Sequence, residues 1–168
     1  MIIISRKAID STLEETVKAH KSGNLLSFQN GIITKLKSEK PHLSDYINSS
    51  HASLLENKSM LGVFYPAAFM SGANLTYRMI EAQLRIDQKP SPLITRRDIE
   101  ASNQEASTIS QMDVEDITLA KISKIKSKNP IFGDYVFGYI SVAKSEDLSR
   151  GFAIGVVSTY SVYEQALK

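Results

Sequence analysis

The sequence contains two stretches that resemble each other block by block, and this repetition limits the folds open to the chain. Three blocks of the first stretch recur in the second in the same order. They begin at Ile3 and Leu93, at Ile33 and Ile122, and at Phe69 and Phe152. Because the shift between paired blocks shrinks from 90 to 89 and then to 83 residues, the pattern indicates a tandem duplication with short deletions in the second copy.

The boundary between the copies falls at residues 88–92, where the segment QKPSP holds two prolines. Prolines disfavour helix in the residue before them, so the preceding helix should end here. The predicted repeats are residues 1–88 and 92–168. Since units of this size bury little surface alone, we expect them to pack as one domain about a pseudo-twofold axis.

Each copy is predicted to hold four helices, which makes the fold all-α. Apolar residues recur at helical spacing, and polar capping residues or prolines precede the runs. The first helices cover about 6–20 and 96–109, the second begin after Asn24 and Asp113, the third cover about 42–56 and 131–144, and the fourth about 60–86 and 146–167. Pro66 either kinks the fourth helix or marks its start. The short apolar segments before the first helices, residues 2–4 and 93–95, could pair as a small two-stranded β-ribbon.

The fourth helices carry the clearest recurrence, and it predicts that they cross. A glycine inside a helix costs about 1 kcal/mol relative to alanine, so Gly72 and Gly155 require a reason. With a threonine four residues later, each forms a stripe of small residues that lets two helices approach closely; a ligand pocket is the alternative. The predicted crossing core is Phe69, Gly72, Thr76, Tyr77, Phe152, Gly155, Thr159 and Tyr160.

The composition excludes several classes of protein. Apolar residues make up 42% of the 168 residues, enough for a buried core, and 20 basic against 18 acidic side chains exclude a strongly polyanion-seeking chain. The absence of cysteine excludes disulfides, thiolate metal sites and cysteine nucleophiles, and is consistent with a cytoplasmic protein. The uncharged run 59–77 contains Pro66 and several polar residues, which favours a buried helix over a membrane span.

Recurring acidic residues are the candidates for chemistry. Glu81 and Glu164, brought together by symmetry, would share a proton or a divalent ion. Arg85 and Lys168 follow four residues later, however, and this spacing favours surface ion pairs. Asp45 and Asp134, each followed by tyrosine, are further ligand candidates, although an acid early in a helix is commonly structural.

Catalytic and nucleotide-binding motifs are absent from the sequence. It contains no G-x-S-x-G, P-loop or G-x-G-x-x-G motif, and the three histidines all lie in the first copy. We therefore expect no cofactor and no zinc site.

Four lysines recur on the second predicted helices: Lys35, Lys37, Lys124 and Lys126. Two symmetric ridges of positive charge would suit a nucleic-acid backbone. The nearly balanced net charge and the lack of interleaved aromatic residues favour an ordinary solvated helix face instead.

These observations favour a non-enzymatic binding, regulatory or assembly protein whose partner is another protein or a second copy of the chain. The alternatives are a protein that associates with nucleic acid through the lysine ridges, and a helical enzyme that binds a metal or small ligand through the paired Glu and Tyr residues. The sequence does not specify the identity of the partner.

Overall fold

The computed structural model describes residues 2–107 and 114–168, and these ranges are all-helical. They contain nine helices: α1 (Arg6–Lys21), α2 (Leu25–Glu39), α3 (Pro41–Glu56), α4 (Lys58–Leu61), α5 (Tyr65–Ile86), α6 (Arg96–Ser107), α7 (Val114–Lys128), α8 (Pro130–Val142) and α9 (Glu146–Ala166). Within them, no helix combines the length and the apolar character that crossing a bilayer would require.

One predicted helix, 60–86, is divided into two. The short α4 ends at Gly62, whose φ of 108° is a conformation that L side chains rarely adopt. The long α5 then begins at Tyr65 with Pro66 in its first turn, where a missing N–H costs no helical hydrogen bond. Pro66 therefore marks the start of the long helix. The predicted cap at Asp113 and the predicted helix end at 109 lie outside the described residues.

The β-ribbon considered for residues 2–4 and 93–95 is wrong, because the described residues include no strand. The two segments precede α1 and α6, and side chains rather than a second strand bind the carbonyl groups of Ile2 and of Pro92, the residue before the second segment. The carbonyl oxygen of Ile2 accepts hydrogen bonds from Asn129 Nδ2 (3.2 Å) and from the Tyr160 hydroxyl (3.1 Å). Lys40 Nζ donates a hydrogen bond to the carbonyl oxygen of Pro92.

The most extensive contact between helices joins α5 and α9. A Cβ atom at Gly72 would overlap the carbonyl oxygen of Phe152, and one at Gly155 would overlap the carbonyl oxygen of Phe69. The backbones therefore touch at these glycines, and the contact is reciprocal. All eight residues of the predicted crossing core are buried.

The remaining helices surround this central pair. α1 and α3 pack on α5, and α6, α7 and α8 pack on α9, whereas α2 packs mainly on α3 and α1. The N-terminus of α1 is fixed to α5, since the Ser5 hydroxyl caps Ala8 N and donates to Gln83 Oε1 (2.7 Å). Ile4 and Ile94, the apolar residues just before α1 and α6, are almost completely buried.

Candidate binding groove

The four lysines of the predicted ridges are exposed on α2 and α7, and two of them have acidic partners. Lys35 Nζ lies 3.9 Å from Glu39 on the same helix. Lys126 Nζ lies 3.0 Å from Asp134 and 5.1 Å from the ring centroid of Phe137. Part of the positive charge of each ridge is therefore balanced locally.

Glu81 is buried, in contrast to the surface ion pair expected with Arg85. Its Oε1 accepts hydrogen bonds from the hydroxyls of Tyr163 (2.6 Å) and Ser91 (2.7 Å), and it lies 3.9 Å from Lys40 Nζ. Lys40 is only 5% exposed, so the pair joins two groups that water scarcely reaches. We call Lys40, Glu81 and Tyr163, together with the exposed Ser91 that donates to Glu81, the buried polar cluster.

The buried polar cluster is formed where several elements meet. Lys40 is the residue before Pro41 at the start of α3, Glu81 belongs to α5, and Tyr163 belongs to α9. Burial, followed by the nearby charge of Glu81, raises the pKa of Tyr163 above its ordinary value of 10, so that its hydroxyl remains a proton donor. Donor and acceptor are thus matched inside the protein.

The other acidic candidates do not join this cluster. Glu164 is half-buried, and Asp45 and Asp134 are exposed. Lys168, which was expected to pair with Glu164, instead places its Nζ 3.0 Å from Glu105 Oε1. In residues 2–107 and 114–168, no group of three or more His, Asp or Glu side chains is placed to hold a metal ion.

Sequence reasoning missed an open groove between α2 and α5. Two adjoining hollows of about 600 and 390 Å³ form it, and Phe28, Ile32 and Arg78 line both. The first hollow reaches Lys35 and Arg85, and the second reaches His51 and Met70. We call the two hollows together the α2–α5 groove.

One face of α5 forms a long wall of the α2–α5 groove. Its residues lie alternately four and three positions apart, which is the spacing of one helix face. They are Ala67, Ser71, Asn74, Arg78, Glu81 and Arg85.

Arg78 fixes the width of the groove at its middle. Its guanidinium lies 4.9 Å from the ring centroid of Phe28 on α2. It also donates to Thr16 Oγ1 (2.8 Å), to the carbonyl oxygen of Thr12 (2.9 Å) and to Glu15 Oε2 (3.1 Å), all on α1. The arginine therefore stands between α5 and α2 as a spacer that α1 holds in place.

The matching region of the second half holds a smaller hollow. Ser161 occupies the position that the 83-residue shift pairs with Arg78, and α7 packs directly on α9. Ile122, paired with Ile33 by the 89-residue shift, is 0% exposed, whereas Ile33 is 38% exposed. The hollow lined by Thr118 and Ile154 measures about 150 Å³. The similar apolar patterns of α2 and α7 are thus buried to different extents.

Polar groups in the α2–α5 groove differ from one end to the other. In the second hollow, Oδ1 of Asn74 is shielded from water and has no hydrogen-bond partner among the described residues. At the mouth of the first hollow lie Lys35 and Arg85. The groove therefore offers an apolar section followed by a basic section.

No protein-family model matches this chain, and neither a curated protein nor a solved structure matches it significantly.

Proposed function

We propose that this chain is a non-enzymatic binding protein that receives a helical segment of a partner protein in the α2–α5 groove. The observation that carries the proposal is the incomplete burial of α2. Leu36 is its only buried residue, and Leu26 and Ile33 are 73% and 38% exposed. Apolar surface that is left uncovered beside a groove is typical of an interaction site.

The dimensions of the groove suit a helix better than a compact small molecule. Its α5 wall extends from Ala67 to Arg85, which is about 27 Å at 1.5 Å per residue. It is open along this length and lined by apolar side chains of α2. Helices that bind in such grooves present apolar residues three or four positions apart, the same spacing as the α5 face.

The scaffold beneath the groove is, on this proposal, a duplicated unit with pseudo-twofold symmetry. Two reciprocal sets of contacts support it. The crossing glycines exchange contacts with the phenylalanines of the opposite helix. Lys40 binds the carbonyl of Pro92, and Asn129 binds that of Ile2; the shifts of 89 and 90 residues pair these partners. The two halves then differ at the groove, which is larger in the first half.

Nucleic-acid binding through the lysine ridges has less support, because Lys35 and Lys126 have acidic neighbours. An enzyme acting through paired glutamates also has less support, since Glu81 is engaged in the buried polar cluster and Glu164 lies outside it. A protein partner therefore stays the first choice, and a cytoplasmic setting stays an expectation from the composition.

The proposal can be tested with a neutral apolar dye, N-phenyl-1-naphthylamine, whose fluorescence rises on binding. We expect saturable binding that Gly31→Leu weakens, because Gly31 lines the first hollow and a Cβ there meets nothing within 4 Å, so that a leucine would fill part of the groove. Gly138→Leu is the matched control, since Gly138 is also exposed within a helix and has equally open surroundings but lies outside the groove. A dye affinity that Gly31→Leu leaves unchanged, or that falls equally in both variants, would contradict the proposal.

A further inference from the structure

We infer that the partner segment is an amphipathic helix whose acidic end lies against Lys35 and Arg85. This inference rests on the proposed function. It adds the chemistry of the bound segment and the end of the groove at which its carboxylates lie. It follows from the charges that line the α2–α5 groove and from how many of them are already paired.

Most charges of the first hollow are paired within the protein. Glu15 contacts Arg78 at 3.1 Å, and Glu81 lies beside Lys40 in the buried polar cluster. Pairing leaves these four groups with little net field at the mouth of the hollow.

Lys35 and Arg85 are different. Lys35 lies 3.9 Å from Glu39, and both side chains are about half exposed, so that water weakens their attraction. Arg85 has no ion pair and no side-chain hydrogen bond among residues 2–107 and 114–168, and its side chain is exposed. Glu39 offsets part of the Lys35 charge, so the excess of positive charge at the mouth comes mainly from Arg85, and carboxylates are its complement.

The second hollow requires an apolar partner surface. Ile32, Ile33, Met70 and Leu75 line it, and His51 and Arg78 are its titratable residues. Asn74 also lines it, but its Oδ1 is shielded from water and therefore from a donor on a bound segment. Asn74 and Arg85 are eleven residues apart on α5, about 16 Å at 1.5 Å per residue. The carboxylates of the segment should thus lie about three helical turns from the part that contacts Asn74.

Gly31 lies on the α2 side of the first hollow. Its neighbours do not explain the absence of a side chain, because no atom outside α2 lies within 4 Å of its would-be Cβ. A glycine here leaves the α2 backbone open to close approach by a bound helix.

The experiment compares two synthetic peptides of 18 residues. Both carry leucine at positions three and four residues apart, and the last turn holds glutamates in one peptide and lysines in the other. We expect the acidic peptide to bind at least roughly tenfold more tightly at low salt, measured by fluorescence anisotropy, and the preference to shrink as salt increases. The double variant Lys35→Glu with Arg85→Glu should reverse the preference.

The control is Lys58→Glu with Lys144→Glu, two exposed lysines that line neither hollow. It should leave the preference unchanged. Equal binding of the two peptides, binding of neither, or a preference insensitive to the groove charges would overturn the inference. The neutral dye distinguishes failure of this inference from failure of the proposed function. If the peptides show no charge preference but Gly31→Leu still weakens dye binding, the apolar groove remains supported.

Discussion

At the scale of single residues, Lys40 shows what a buried charged side chain requires of the residues around it. Asn129 holds the corresponding position in the second half with almost the same backbone angles, and its neutral amide suffices to bind a carbonyl. A lysine at this depth brings a charge that needs a counter-charge nearby. Glu81 supplies it, and Tyr163 and Ser91 satisfy the carboxylate in turn.

We therefore predict that Lys40→Met lowers the free energy of unfolding by about 3–5 kcal/mol, because Glu81 is left as a buried charge without its counter-ion. The double variant Lys40→Met with Glu81→Gln should lose less than the single variant, since the remaining amide is neutral. Urea unfolding followed by circular dichroism measures both values. Lys37→Met, at an exposed position nearby, is the control and should change stability by under about 0.5 kcal/mol. A double variant that loses as much stability as Lys40→Met, or more, would contradict the prediction.

Sequence reasoning could not find the buried polar cluster, because it relied on residues that recur. Lys40 and Asn129 differ in chemistry, and only their position before a proline recurs. Glu81 does recur, but the arginine four residues later suggested a surface pair. The missing information was the depth at which α5 lies, which depends on packing against α9.

At the scale of elements, the crossing of α5 and α9 was predicted from the recurring glycines, and the structure places both backbones in contact there. Small residues continue along the contact: Ala68 and Thr76 on α5, and Gly151 and Thr159 on α9, are all buried. Because backbone lies against backbone, neither helix can move aside for a methyl group without shifting the other.

We predict that Gly72→Ala and Gly155→Ala each destabilise the protein by about 1–3 kcal/mol, although alanine is the better helix former. Gly31→Ala and Gly138→Ala are matched controls, because both sites are helical and open. The controls should be neutral or gain up to about 1 kcal/mol. Thermal unfolding of the four variants gives the comparison, and equal effects at all four sites would show that the crossing is not close-packed.

The groove could not be predicted at this scale for a related reason. The apolar residues of α2 and α7 follow one pattern, which implies equal burial. The difference in burial between α2 and α7 comes from the helices that they face. Arg78 lies on α5 in the first half, and Ser161 holds the paired position on α9 in the second. A long side chain that α1 holds upright keeps α2 away from α5, and a short one lets α7 pack on α9.

At the scale of the whole molecule, each half holds the segment that begins the other. Asn129 and Tyr160 bind the carbonyl of Ile2, while Lys40 binds that of Pro92. Together with the α5–α9 crossing, these contacts bury surface that neither half could cover alone. This arrangement favours one domain over two independent ones.

We predict that residues 1–88 and 92–168, expressed separately, are each unfolded or self-associated, because the inner face of α5 or α9 would be exposed. Mixing the two fragments should restore helicity and a single cooperative unfolding transition, measured by circular dichroism and by size-exclusion chromatography with light scattering. A chain cut after Gln88 while folded is the control and should stay together. A soluble monomeric half with its own cooperative transition would contradict this prediction.

The hydrogen bonds to the Ile2 carbonyl also bear on how the chain is made. They join residues 127 and 158 positions apart in the sequence. On the ribosome, Ile2 is therefore synthesised long before Asn129 and Tyr160, and it cannot take its native place until α9 has left the exit tunnel. Contacts of such long sequence separation slow folding. The nascent first half must then wait with its apolar α5 face exposed, and in that interval a chaperone would be most useful to it.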